Sequence, residues 1–114
     1  MSECIFCKIA AGEIPADKVL EEEDLVAFRD LNPQAPVHIL VIPKRHIATL
    51  NDLRPEDAAL MGRLHLAAQR IAAEEGIADR GYRTVINCNA EAGQTVFHIH
   101  LHLLGGRPMG WPPG

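Results

Sequence analysis

Three histidines stand at every second position of Val96-Phe97-His98-Ile99-His100-Leu101-His102-Leu103-Leu104, with apolar residues between them. Side chains on a strand point alternately to opposite faces. The run therefore predicts a strand over 96–104 that packs Phe97, Ile99, Leu101 and Leu103 into a core. His98, His100 and His102 then line the other face at steps of roughly 7 Å. Three close imidazoles are costly if all are charged, so a purely structural strand would rarely carry them. The row suits a metal site made of all three, a solvated polar face, or a nucleophile with helpers. The preceding Ala92-Gly93-Gln94-Thr95 favours the nucleophile. Gly93 lets backbone approach a ligand closely, and Gln94 and Thr95 add donors that suit phosphate oxygens.

A second constellation is Cys4-x-x-Cys7. A redox dithiol would sit in a thioredoxin-like βαβ unit, and no such pattern surrounds it. Zinc is the better reading, since it needs two more ligands and histidines are available. Cys88 reads as a small strand residue and His65 as solvated. His38 interrupts an apolar run; taken alone, it reads as a hydrogen-bonded core histidine.

The elements that must position these groups follow from periodicity. Residues 4–11 form one or two helical turns, stopped at Gly12 and Ile14-Pro15. Strands are expected at 18–22 and 25–29, joined by an acidic turn, and at 37–42, where Val37-His38-Ile39-Leu40-Val41-Ile42 suits burial on both faces. The long helix spans 55–75, with Leu60, Leu64, Ala68 and Ile71 on one face and Gly76 as its stop. Pro55 suits the first helical position, but Arg54 is a poor N-cap. The fourth strand covers 82–88. Antiparallel strands with one inserted helix make an α+β domain, the helix covering one sheet face.

The 114 residues fit one domain, 1–114, with 107–114 as a tail. A net charge of −4 argues against binding a nucleic-acid polymer, though not against one bound nucleotide. Met1-Ser2-Glu3-Cys4 lacks the basic start and apolar run of a signal peptide, and no stretch has the length of a membrane span. A cytoplasmic protein is expected, its cysteines thiols or metal ligands.

His98-Ile99-His100-Leu101-His102-Leu103-Leu104 resembles the signature of the histidine triad family. The resemblance extends through Ile5-Phe6-Cys7-Lys8-Ile9, Gly12-Glu13-Ile14-Pro15, Phe28-Arg29-Asp30, Pro33-Gln34-Ala35-Pro36-Val37-His38, Val41-Ile42-Pro43-Lys44 and Leu104-Gly105-Gly106-Arg107. The ending Trp111-Pro112-Pro113-Gly114 is similar to that of the Hint-type branch, the purine nucleoside phosphoramidases. The resemblance implies a five-stranded antiparallel sheet continued across a homodimer, with the helix 55–75 and the strand 82–88 as contacts. It also implies hydrolysis of purine nucleoside-monophosphate conjugates through a nucleotidylated histidine.

By the same resemblance His100 is the nucleophile, and a backbone carbonyl could fix its tautomer. His102, if protonated, stabilises negative charge or donates a proton, and His38 supports the site. Gln94, Thr95 and Val96 match the phosphate turn after Gly93. Asn87 matches a nucleotide contact, although a side chain bonding its own backbone is its plainer reading. Asp30 matches the ribose-binding acid; Ile5, Phe6, Ile9 and Leu31 match the base pocket. Arg29 departs from the histidine that some relatives carry. Bacterial relatives imply a structural zinc on Cys4, Cys7, His46 and His98. The alternatives are a dinucleoside polyphosphate hydrolase of the same family and a non-catalytic nucleotide- or zinc-binding adaptor.

Overall fold

The computed structural model describes residues 3–114; Met1 and Ser2, part of the N-terminal stretch read for a leader, lie outside the described residues. A short helix α1 (Ile5–Ala10) precedes strands β1 (Lys18–Glu21), β2 (Leu25–Arg29) and β3 (Val37–Pro43). The main helix α2 (Ala58–Glu74) then leads to β4 (Tyr82–Val85) and β5 (Leu101–Gly105). The five strands form one antiparallel sheet in the order β1-β2-β3-β5-β4. The α+β reading and the single main helix hold.

The sheet divides the interior into two layers. On the α2 side, Leu25, Ala27, Ile39, Val41, Leu101 and Leu103 meet Leu60, Leu64, Ala68 and Ile71. Each fully buried aliphatic side chain there contributes about 1.5–3 kcal/mol relative to exposure. On the other side, Val26, Phe28, Leu40 and Ile42 meet Phe6 and Ile9 of α1. The alternation of β3 thus sends Ile39 and Val41 to the helix and His38 and Leu40 to the face that α1 only partly covers.

The start of α2 resolves the weak cap. Residues 55–57 form a 3-10 turn, and the buried Asp57 carboxylate accepts the Arg54 backbone N–H at 2.9 Å and pairs with Arg45. At the other end Gly76 (φ +78°) donates to Ala73 O and Ile77 to Ala72 O, a left-handed closure that glycine tolerates.

The last two strands depart most from expectation. The 96–104 run is extended and paired only from Leu101, so His98 and His100 precede the strand. The next ladder partner of Ile99 would be Pro43, which has no N–H to give. Ile99 N–H bonds Ile47 O instead, at 2.7 Å, and His98 Nε2 takes the Pro43 carbonyl at 2.8 Å. With β5 starting late, β4 loses its partner beyond the Val85–His102 pair and ends at Val85 rather than Cys88. Phe97, expected in the core, is 47 % exposed, because the segment leaves the strand pleat there. Among the described residues no helix is long and apolar enough to cross a membrane.

Candidate active site and metal centre

Leaving the ladder separates the three histidines into different surroundings. His98 is fully buried and turns toward the N-terminal helix. Its Nδ1 lies 3.4 Å from Cys4 Sγ, 3.5 Å from Cys7 Sγ and 3.3 Å from His46 Nδ1; Cys7 Sγ and His46 Nδ1 are 3.2 Å apart. A tetrahedral zinc with ordinary bond lengths would set nitrogen–nitrogen edges near ~3.4 Å and nitrogen–sulfur edges near ~3.6 Å. These four distances fit that spacing, and the four groups could hold a metal ion. His98 Nε2–H donates to Pro43 O, which leaves the Nδ1 lone pair toward the sulfurs. Burial keeps His98 below its ordinary pKa and so in the neutral form that ligates. A metal on all three triad histidines is therefore not the arrangement.

His100 is buried and lines a cleft of about 320 Å³. Its Nδ1 donates to the His98 carbonyl at 2.8 Å. A carbonyl only accepts, so Nδ1 carries a proton, and in the neutral ring Nε2 keeps the lone pair. Phe6, between the two cysteines, meets the His100 ring edge-on, with centroids 5.1 Å apart at 82°. It meets His98 similarly at 5.9 Å, so one aromatic supports both rings.

His38 and His102 form a second pair. Leu40 lies opposite His102 across the sheet, which puts His38 on the diagonal. His38 Nε2 and His102 Nδ1 are 2.9 Å apart, and Gln34 backbone N–H donates to His38 Nδ1 at 3.0 Å. The neutral His38 proton must then sit on Nε2 and point at His102 Nδ1, which leaves His102 a donor at Nε2. Asp30 Oδ2 lies 3.5 Å from His38 Nε2. These three also cluster as metal ligands do, but a metal on His38 Nε2 would demand a proton on Nδ1, where Gln34 already donates.

Burial first, and then the neighbouring His100 and His38, push the His102 pKa down to about 4, against a smaller opposing effect of Asp30. Burial likewise lowers that of His38. The free site at neutral pH thus holds His102 uncharged, with a neutral Nε2–H, rather than in the protonated form considered from the sequence.

Of the residues expected around a nucleotide, Ile5, Phe6, Ile9, Asp30, Leu31, Thr95, Val96, His100 and His102 line the cleft. Asn87, Gly93 and Gln94 do not. Asn87 is half-buried just beyond β4. Gly93 (φ +89°) and Gln94 give their N–H groups to Ala90 O and Asn89 O. The buried Gln94 side chain donates to Ala48 O and Val96 O and accepts from Asn89 N–H, so it braces the turn from inside. Sequence reasoning missed Ile14, Pro15, Ala16, Asp17, Phe28 and Leu40 in the cleft wall, which Arg29 also lines beside Asp30. The break at Gly12 and Ile14-Pro15 was the available signal for residues 14–17, and strand alternation on the His38 face was the signal for Phe28 and Leu40. Arg29 is held by both oxygens of Glu75, at 3.1 and 2.8 Å.

The HIT domain family matches residues 11–109. The chain belongs to the HIT family. It is 52 % identical over 108 residues to the purine nucleoside phosphoramidase of Escherichia coli K12, covering 95 % of this chain and 91 % of that one. Among solved structures it is similar to a HIT family hydrolase from Legionella pneumophila, with TM-score 0.97, 55 % identity and coverage of 98 % and 100 %. A zinc-bound histidine triad protein from Mycobacterium smegmatis superposes with TM-score 0.79 at 38 % identity, covering 92 % of this chain and 76 % of that one. The protein is a hydrolase of the HIT family.

Proposed function

We propose that this HIT hydrolase cleaves purine nucleoside 5′-phosphoramidates, and related nucleoside-monophosphate esters and amides, through a nucleotidyl intermediate on His100. One observation carries the reading: the 2.8 Å bond from His100 Nδ1 to the His98 carbonyl, which makes Nε2 the nucleophilic nitrogen of the neutral tautomer on a ring lining the cleft. The 52 % identity to a phosphoramidase supports the substrate class.

The reaction runs as two displacements. His100 Nε2 attacks the α-phosphorus, and the phosphorus–nitrogen bond breaks with its electron pair on the amine. The amine takes a proton from solvent at the open mouth of the cleft. Water then attacks the same phosphorus, the bond to His100 breaks, and nucleoside monophosphate leaves as the water proton passes to solvent. His102 Nε2–H and the Thr95 hydroxyl hold phosphoryl oxygens as negative charge grows. His38 orients His102. Asp30 accepts the ribose hydroxyls, and Ile5, Phe6, Ile9, Leu31 and Val96 wall the base. Gly93 and Gln94 shape the turn that presents Thr95; Asn87, which does not line the cleft, is assigned a nucleotide contact by family resemblance alone.

Cys4, Cys7, His46 and His98 hold zinc in this reading. Four protein ligands would leave no open position for substrate, so a zinc held there would serve structure, tying α1 to the segments at residues 46 and 98. The chain works in the cytoplasm as a homodimer that extends the sheet through the edge strand β4, with tail 107–114 reaching the partner's cleft. The support is exposed apolar surface on both elements that would pair: Leu66 of α2 is 63 % exposed, Tyr82 of β4 is partly open, and Trp111 of the tail is 83 % exposed. A large aromatic is better used as an interface anchor than in water.

The test is release of AMP from adenosine 5′-phosphoramidate, measured beside diadenosine polyphosphates. Faster turnover of the phosphoramidate is expected. Preference for the dinucleotides assigns the chain to polyphosphate hydrolysis instead, and failure to cleave either overturns the reading.

A further inference from the structure

The donor direction of the His38–His102 pair is set from outside the pair. Gln34 N–H occupies His38 Nδ1, so His38 donates from Nε2 and His102 presents Nε2–H to the cleft. If that N–H moved away, His38 could carry its proton on Nδ1 instead. His38 Nε2 would then accept from His102 Nδ1, and His102 would turn a lone pair toward the substrate. A phosphoryl oxygen is attracted by the donor and repelled by the lone pair. One backbone N–H therefore decides what His102 offers.

Gln34 sits in the exposed loop between β2 and β3. Within the loop, Asp30 Oδ1 accepts Asn32 N–H at 2.8 Å and Gln34 Nε2 donates to Asn32 O at 3.0 Å. These bonds tie the loop to itself. Asp30 N–H ties the start of the loop to His38 O of β3 at 3.0 Å, and the exit of β5 adds a second anchor at Gln34 itself. Arg107 Nε donates to Gln34 O at 3.0 Å, and its Nη1 donates to Pro108 O at 3.0 Å, which fixes the guanidinium. Beside it Gly106 lies so near Pro36 that a Cβ there would stand 2.9 Å from Pro36 Cβ. The carbonyl that Arg107 holds and the N–H that His38 needs flank the same Gln34 Cα.

We propose that Arg107 is a positioning residue for the reaction: it holds the Gln34 main chain so that His38 and His102 keep the tautomers that present a donor to the phosphoryl group. The inference rests on the reading of His102 as a phosphoryl ligand. The experiment is nitrogen-15 NMR of the imidazoles in the full-length protein, with Arg107→Ala and Arg107→Lys, paired with steady-state kinetics on adenosine 5′-phosphoramidate. In the natural protein, Nε2 of both His38 and His102 should show the protonated signature and Nδ1 the bare one. Arg107→Ala should shift both rings toward mixed tautomers and lower kcat about fivefold, the scale of one ordinary hydrogen bond, with KM changed less than about twofold. Arg107→Lys, which can still reach the Gln34 carbonyl, should restore both. Unchanged nitrogen shifts in Arg107→Ala would overturn the proposal, even if the melting temperature fell. If the natural protein failed to cleave the phosphoramidate, the functional reading would fall while the tautomer measurement still judged Arg107.

Discussion

Replacing His102 with glutamine should remove a specific part of the acid sensitivity of the fold. In the folded chain the His102 pKa is pushed down to about 4, chiefly by burial. The unfolded chain takes up that proton near the ordinary value of about 6.5. Between those values the unfolded state binds more protons, so stability is full above pH 6.5 and falls as acid is added toward pH 4. A sealed ring would lose about 3 kcal/mol across the window, at about 1.4 kcal/mol per pKa unit. His102 is only half-buried, and solvent screening reduces the expected effect to about 1.5 kcal/mol. Glutamine keeps an acceptor for His38 and does not titrate. The assay is urea unfolding of both proteins at pH 7 and pH 4.5. The natural protein should lose about 1.5 kcal/mol more than His102→Gln, a difference that cancels acid effects common to both, including those on Cys4, Cys7, His46 and His98. Equal losses would refute the half-buried, neutral His102.

Three further outcomes follow. Protein made with zinc supplied should hold about one metal per chain, and Cys7→Ser should lower both occupancy and melting temperature; metal analysis with calorimetry checks this, and full occupancy in the variant would contradict it. Gly105→Ala should destabilise by about 1–3 kcal/mol, read from denaturant midpoints, because the added Cβ would stand 2.5 Å from Ile77 Cδ1. Removing residues 108–114 while keeping Arg107 should change relative rates across amine leaving groups more than it changes the melting temperature, in a chain that light scattering finds dimeric; a monomer at micromolar concentration would refute the shared cleft.

The parts of this structure governed by regular periodicity were legible. β2, β3 and the buried face of α2 follow from apolar spacing, and Gly76 ends the helix where its φ of +78° requires. The alternating histidines advertised a site, and most of the expected base-pocket residues do line one cleft. The alternation misled about what it builds, because a missing donor at Pro43 releases the 96–100 segment from the ladder. That release sends His98 to the cysteines and Phe97 toward solvent. The tautomer of His38 was not legible, since it depends on the backbone of Gln34 rather than on any side chain. Nor was the Asp57 bond to the Arg54 N–H that completes the start of α2, because it replaces a conventional cap with a carboxylate from the turn itself.

One role, that of His100 Nε2 as the nucleophile, carries the proposed mechanism. It is tested most directly by rapid acid-free quenching during turnover of adenosine 5′-phosphoramidate, followed by mass spectrometry of the denatured chain and mapping of any added AMP. A single adenylyl group on His100 in the natural protein, absent from His100→Ala together with turnover, is the predicted result. An adduct mapped to His98 or His102, or near-normal turnover by His100→Ala, would contradict it.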